Sequence, residues 1–186
     1  MSLLPKYNRK RFLSLYWIVP FLASCNPLRA FSKQSQNKLK RRVVTGVNAN
    51  GKSSIISDGF VPKNATYSDP GHLEINTLWV ENQVPVAFDK QAETLDGYAF
   101  TLEPSYGGFK AYFITFEPGY KPDFHKTDTI DFIFIISGKL ELLVEGGSTI
   151  LASGDSVVQR GTNHAWRVVG DEPCKAAAVV ISAKKG

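Results

Sequence analysis

From residue 43 onward, apolar and polar positions alternate in short runs, each broken within a few residues by Gly, Pro, Asn or Asp. Alternation with a period of two over four to eight residues is the pattern of a strand with one face buried. It predicts strands over 73–80, 97–102, 111–116, 130–136, 140–144, 149–151, 156–159, 164–169 and 176–182. Gly138-Lys139 and Gly146-Gly147 supply hairpin punctuation between such runs. No stretch in this part holds a helical period over three turns. Many short strands joined by short turns mean an all-β sandwich or barrel, paired antiparallel. Residues 48–72 are richer in Gly, Ser, Asn and Pro. They read as an N-terminal arm of loops and edge strands packed on that body.

The first 25 residues follow a different pattern. Lys6, Arg9, Lys10 and Arg11 form a positive head, an apolar run from Phe12 to Ser24 follows, and Leu22-Ala23-Ser24-Cys25 closes it. A membrane-spanning helix needs about 20 apolar residues, so this run is too short for an ordinary span and fits the core of an export signal. The last four residues resemble a bacterial lipobox, in which Cys25 becomes the lipidated N-terminus. The expectation is an exported, membrane-anchored lipoprotein of the periplasm or envelope, with an organellar presequence as the alternative. Residues 26–42, polar and basic, then read as a flexible tether between membrane and domain, and 43–186 as the folded domain.

Charge sharpens this division. The chain of 186 residues carries 22 Lys and Arg against 17 Asp and Glu, a formal +5. No acidic residue precedes Asp58, so the excess lies in the leader and tether and the body is net acidic. A protein that grips phosphate backbones keeps its basic residues on the folded domain, so nucleic acid is excluded as a partner. The length suits one domain. Of the two cysteines, Cys25 is assigned to lipid, which leaves Cys174 without an intrachain partner and reading as a small buried hydrophobe.

The chemistry rests on three histidines, His72, His125 and His164. Gly119, His125 and Gly138 stand at the positions of Gly, the first His and the last Gly in the first motif of the cupin superfamily, with Thr127 in place of its second His and Asp131 in place of its Glu. Gly154-Asp155, Gly161 and His164 match the second motif, which here is one residue shorter, has Gln159 in place of Pro and ends on Val168 in place of Asn. Residues 42–182 thus resemble single-domain cupins of a largely uncharacterised group. The resemblance implies a double-stranded β-helix (jelly roll, the cupin barrel) with a small-molecule ligand in its mouth. It also allows a homodimer in which the arm at 43–57 lends an edge strand.

What the resemblance implies for the site is a reduced ligand set. His125, Asp131 and His164 would form a two-His-one-carboxylate group suited to a divalent metal, Fe, Zn or Mn. Against that, Asp reaches about 1–1.5 Å less far than Glu, while coordination tolerates about 0.2 Å. Without metal, His125 and His164 serve as hydrogen-bonding or proton-transfer groups, with Asp131 fixing a tautomer. Thr127 shares the parity of His125, and Trp166 that of His164, so both are placed toward the ligand. Gln159 or Arg160, just before the Gly161 turn, is expected to hydrogen-bond it. His72, beside Pro70 and Gly71, reads as a surface residue. No phosphate-cradling loop occurs, so no nucleotide cofactor is expected.

The expected function is binding, and transformation, of a small oxygenated organic molecule by an oxygenase or a lyase/isomerase. The alternative is a non-catalytic ligand-binding or structural cupin at the envelope.

Overall fold

A computed structural model describes residues 40–88, 93–121 and 123–184. Eleven strands run in chain order: β1 Arg41–Val47, β2 Ser53–Phe60, β3 Thr66–Asp69, β4 Leu73–Glu81, β5 Phe109–Phe116, β6 Thr129–Ser137, β7 Lys139–Val144, β8 Gly147–Ala152, β9 Ser156–Gln159, β10 His164–Val168 and β11 Cys174–Ser182. One 3-10 turn, Lys63–Ala65, precedes β3. Six strands form one sheet in the order β3-β4-β5-β11-β6-β9, three form a second, β10-β7-β8, and β1-β2 pair by themselves; the pairing is antiparallel throughout. This is the expected all-β jelly-roll barrel.

The alternation that predicted the strands is the one that builds the core. In β6, Thr129, Asp131, Ile133 and Ile135 are buried, while Phe134 and Ile136 on the other face are exposed. In β11 the buried set is Cys174, Ala176, Ala178 and Val180. These small side chains leave room for Tyr112 and Phe116 of β5 and for Trp166 of β10 in the same cluster. Cys174 is a free, buried thiol, and burial pushes its pKa up to about 11.

Three sequence expectations change. Residues 97–102 are not a strand. Aromatic and β-branched residues gave the run its strand character, but side chains bind its backbone: Lys110 Nζ donates to Thr101 O at 2.7 Å, Tyr112 Oη to Leu102 O at 2.6 Å and Asn64 Nδ2 to Tyr98 O at 2.8 Å. Gly138 is not a hairpin turn but the corner where the chain leaves the six-stranded sheet for the three-stranded one. Its φ is +79°, and a Cβ there would lie 2.5 Å from Pro173 O, so only glycine fits. The strand β1 takes in Arg41 and Arg42, the last two positions of the expected tether. Arg41 makes two 2.8 Å bonds to Asp58, and Arg42 pairs with Glu93, donates to Leu78 O and lies 5.8 Å over the Trp79 ring. Arg41 thus ties β1 to β2 within the arm, and Arg42 fastens the arm to the body. The leader, Cys25 and the rest of the tether lie outside the described residues.

Candidate functional site

A cavity of about 370 Å³ opens inside the barrel. Its apolar wall comes from inward positions of the strands, among them Ile75, Ile114, Phe116, Ile133, Trp166 and Val180. Its polar end carries His125, His164, Thr127, Thr129 and Asp131, with Glu103, Asp123 and Lys126 also lining it. The volume lies within the range for small-molecule sites, roughly 300–1,000 Å³.

His125 and His164 come from different parts of the chain and meet as an antiparallel bridge outside the regular ladders. Their ring centroids are 4.4 Å apart. Gly161 makes this approach possible: its φ is +63°, and a Cβ would lie 2.9 Å from Thr127 O, so a side chain would push the β10 turn off the segment that carries His125. Each ring is held in the same way. His125 Nδ1 lies 2.8 Å from Asp123 O, and His164 Nδ1 lies 2.9 Å from Thr162 O. A carbonyl oxygen only accepts, so Nδ1 carries the hydrogen in both, and in the neutral ring Nε2 is the acceptor. His164 is buried, and desolvation lowers its pKa against the opposing pull of its Thr162 bond. Its neutral form is favoured.

Asp131 is buried in the same cavity, and its Oδ1 has no hydrogen-bond partner. Desolvation holds its carboxyl above the usual range, with Glu103 adding to this and Thr129 and His125 opposing it. The expectation that Asp131 fixes a histidine tautomer is corrected, because two backbone carbonyls do that. Nor do His125, Asp131 and His164 form a shared metal-ligand set. Among the described residues, no three His, Cys, Asp or Glu side chains converge to hold an ion. Two imidazoles without a third protein ligand fall short of both the facial triad and the three-ligand catalytic zinc site.

The remaining candidates divide. Thr127 lines the cavity, and its Oγ1 accepts from Thr129 Oγ1 at 2.7 Å. Trp166 lines it as well, edge-on to His164 with 5.5 Å between ring centroids, so it is both core and cavity wall. Gln159 and Arg160 do not line it. Arg160 is exposed. Gln159 is buried, but its Oε1 turns back to accept from Arg160 N at 2.9 Å and Thr162 Oγ1 at 2.7 Å, so its amide caps the turn. His72 is a loop residue beside Asp69, outside the cavity. Sequence reasoning missed Glu103, Asp123 and Lys126, which lie in segments without strand periodicity. Tyr120 packs edge-on to Phe116 and also lines the cavity.

Residues 112–181 match the model of the Cupin domain. Over 62 residues the chain is 48% identical to Oryzines biosynthesis cluster protein J of Aspergillus oryzae, a match covering 33% of this chain and 35% of that protein. Over 129 residues it is 27% identical to the Cupin-domain-containing oxidoreductase fogC of Aspergillus ruber, covering 67% of this chain and 62% of that one. The chain thus spans between about a third and two thirds of the length of these relatives. Among solved structures, the Schizosaccharomyces pombe Cnp3 cupin domain superposes with a TM-score of 0.47 at 14% identity, covering 77% of this chain and 88% of that one.

Proposed function

We propose that this chain, whose residues 112–181 match the model of the Cupin domain, binds a small, largely apolar oxygenated molecule in its barrel and moves a proton on it. The observation that carries this reading is the shared state of the two rings: Nδ1 bound to a backbone carbonyl in each, Nε2 without a hydrogen-bond partner among the described residues, both rings on one cavity.

His164 Nε2 takes a proton from an acidic C–H or O–H of the ligand. The imidazolium formed is steadied by its Nδ1–H bond to Thr162 O. The proton is then returned at a second ligand atom through His164 or His125, giving an isomer of the starting compound. If a leaving group departs instead, the result is elimination. Neither outcome consumes an oxidant. Burial of His164 suits the role, since the neutral base is favoured and its conjugate acid is a ready donor. The names of relatives as oxidoreductases and biosynthesis cluster proteins support an enzymatic reading of the cavity.

The test is solvent exchange. A panel of α-hydroxyketones and β-diketones is incubated with the protein in D₂O, and deuterium uptake at carbon is followed by NMR. Uptake above the buffer rate, falling about 10²–10⁴-fold in both His164→Gln and His125→Gln, is the expected result. Parallel elemental analysis of the same samples reads Fe, Zn and Mn. Near-stoichiometric metal that both variants lose would overturn the proton-transfer reading, as would uptake unchanged by either substitution.

A further inference from the structure

We infer that the group which the barrel's ligand presents to His125 and His164 is a hydrogen-bond donor, a hydroxyl or an amine on an apolar skeleton, and not a carboxylate or other anion. This rests on the barrel-binding reading above and names the class of ligand.

The polar end of the cavity is built from acceptors. Each histidine has committed its N–H to a carbonyl, that of Asp123 or of Thr162, which leaves a neutral ring only a lone pair at Nε2. Asp131 Oδ1 is buried with nothing donating to it. An unpartnered buried acceptor is costly, and a ligand that supplies a hydrogen relieves that cost. Tyr112 has already spent its hydroxyl hydrogen on Leu102 O. The donors that remain on the lining are modest: the hydroxyls of Thr127 and Tyr120, and the ammonium of Lys126, which is exposed.

Charge points the same way. The carboxylates of Glu103, Asp123 and Asp131 line this cavity, against the single ammonium of Lys126. An anion entering beside Asp131 would be desolvated next to a group whose own ionisation is already resisted by burial. The apolar wall of Ile75, Ile114, Ile133 and Val180 takes the skeleton, and the acceptors take its donors.

Two measurements on ¹⁵N- and methyl-labelled protein test this. Long-range ¹H–¹⁵N spectra of the histidine rings should show both in the Nδ1–H form near neutral pH. Binding is then followed through the methyl signals of Ile133, Ala178 and Val180 for four small aromatic compounds: catechol, 1,2-dimethoxybenzene, benzoate and toluene. Catechol should bind at least about tenfold more tightly than 1,2-dimethoxybenzene, which keeps the skeleton and loses the donors, and should shift both Nε2 resonances. Benzoate should bind more weakly than toluene. Nε2–H rings, or 1,2-dimethoxybenzene or benzoate binding as tightly as catechol, would overturn the donor assignment and leave the barrel as a binding site. If none of the four compounds, toluene included, moves the methyl signals, the barrel-binding reading itself fails and this inference goes with it.

Discussion

The backbone N–H of His125 donates to the carbonyl of His164, and the N–H of His164 donates to the carbonyl of His125, both at 3.0 Å. The two residues that carry the proposed chemistry are therefore fixed to each other by main chain, with their rings free of that duty. Truncating a ring leaves the bridge in place, so His125→Ala and His164→Ala should remain folded while losing the site.

The bridge depends on the close turn at Gly161. Gly161→Ala forces a side chain into a left-handed backbone position and against Thr127 O. A loss of about 1–3 kcal/mol in chemical denaturation is expected, together with broadening of the His125 and His164 ring signals. An alanine variant as stable as the parent would show that the turn is not what sets the ring spacing.

The stability of the protein should fall as acid is added below pH 6.5 because of His164. Its folded pKa lies below the ordinary value of 6.5, so the unfolded chain takes up the proton first. The contribution is fully present above the unfolded value and is lost as pH drops through it toward the folded one. Urea denaturation of the parent and of His164→Gln between pH 5 and 8 should show a shallower pH slope in the variant. Identical slopes would remove His164 as the source.

Asp131 has the opposite sign. Its folded pKa is raised by burial above 3.8, so the unfolded chain ionises first as pH rises. The folded state is least penalised below the unfolded value and increasingly penalised as pH climbs through the folded one. Asp131→Asn, which cannot ionise, should gain stability relative to the parent on going from pH 3.5 to 7. A stability difference constant across that range would mean that the carboxyl titrates alike in both states.

The segment 97–103, which brings Leu102 and Glu103 to the cavity, is anchored by β5 through Tyr112 and Lys110. Tyr112→Phe removes one anchor and leaves Leu102 O a bond short. It should cost about 1 kcal/mol and speed limited proteolysis near residues 99–103. Unchanged cleavage would show that Lys110 and Asn64 hold the segment without Tyr112.

Much of this was written in local pattern. The inward set Thr129, Asp131, Ile133, Ile135 is plain alternation, and the pairing of His125 with His164 follows from two motifs, the first with its spacing kept and the second one residue short. What failed did so for reasons that alternation cannot carry. Residues 97–102 look like a strand because their side chains do, yet their carbonyls are taken by Lys110, Tyr112 and Asn64 from elsewhere. Arg160 has the composition of a ligand-binding residue but lies where β9 gives way to the Gly161 turn, and there parity no longer sets direction. The tautomers were missed because the groups that fix them are backbone carbonyls, which have no letter in a sequence.

Strand β11 lies between β5 and β6, although these two are consecutive in the chain and β11 is made after both. Until β11 arrives, β5 and β6 have no partner on their facing edges, and the wall holding Ala178 and Val180 does not exist. Such long-range pairing is slow, because the loop must be closed before any contact rewards it. During synthesis at the ribosome, a chain that has made both histidines still has no cavity for them to face. The site and the closed sheet come into being together, so a nascent or truncated chain cannot hold a ligand ahead of the finished fold.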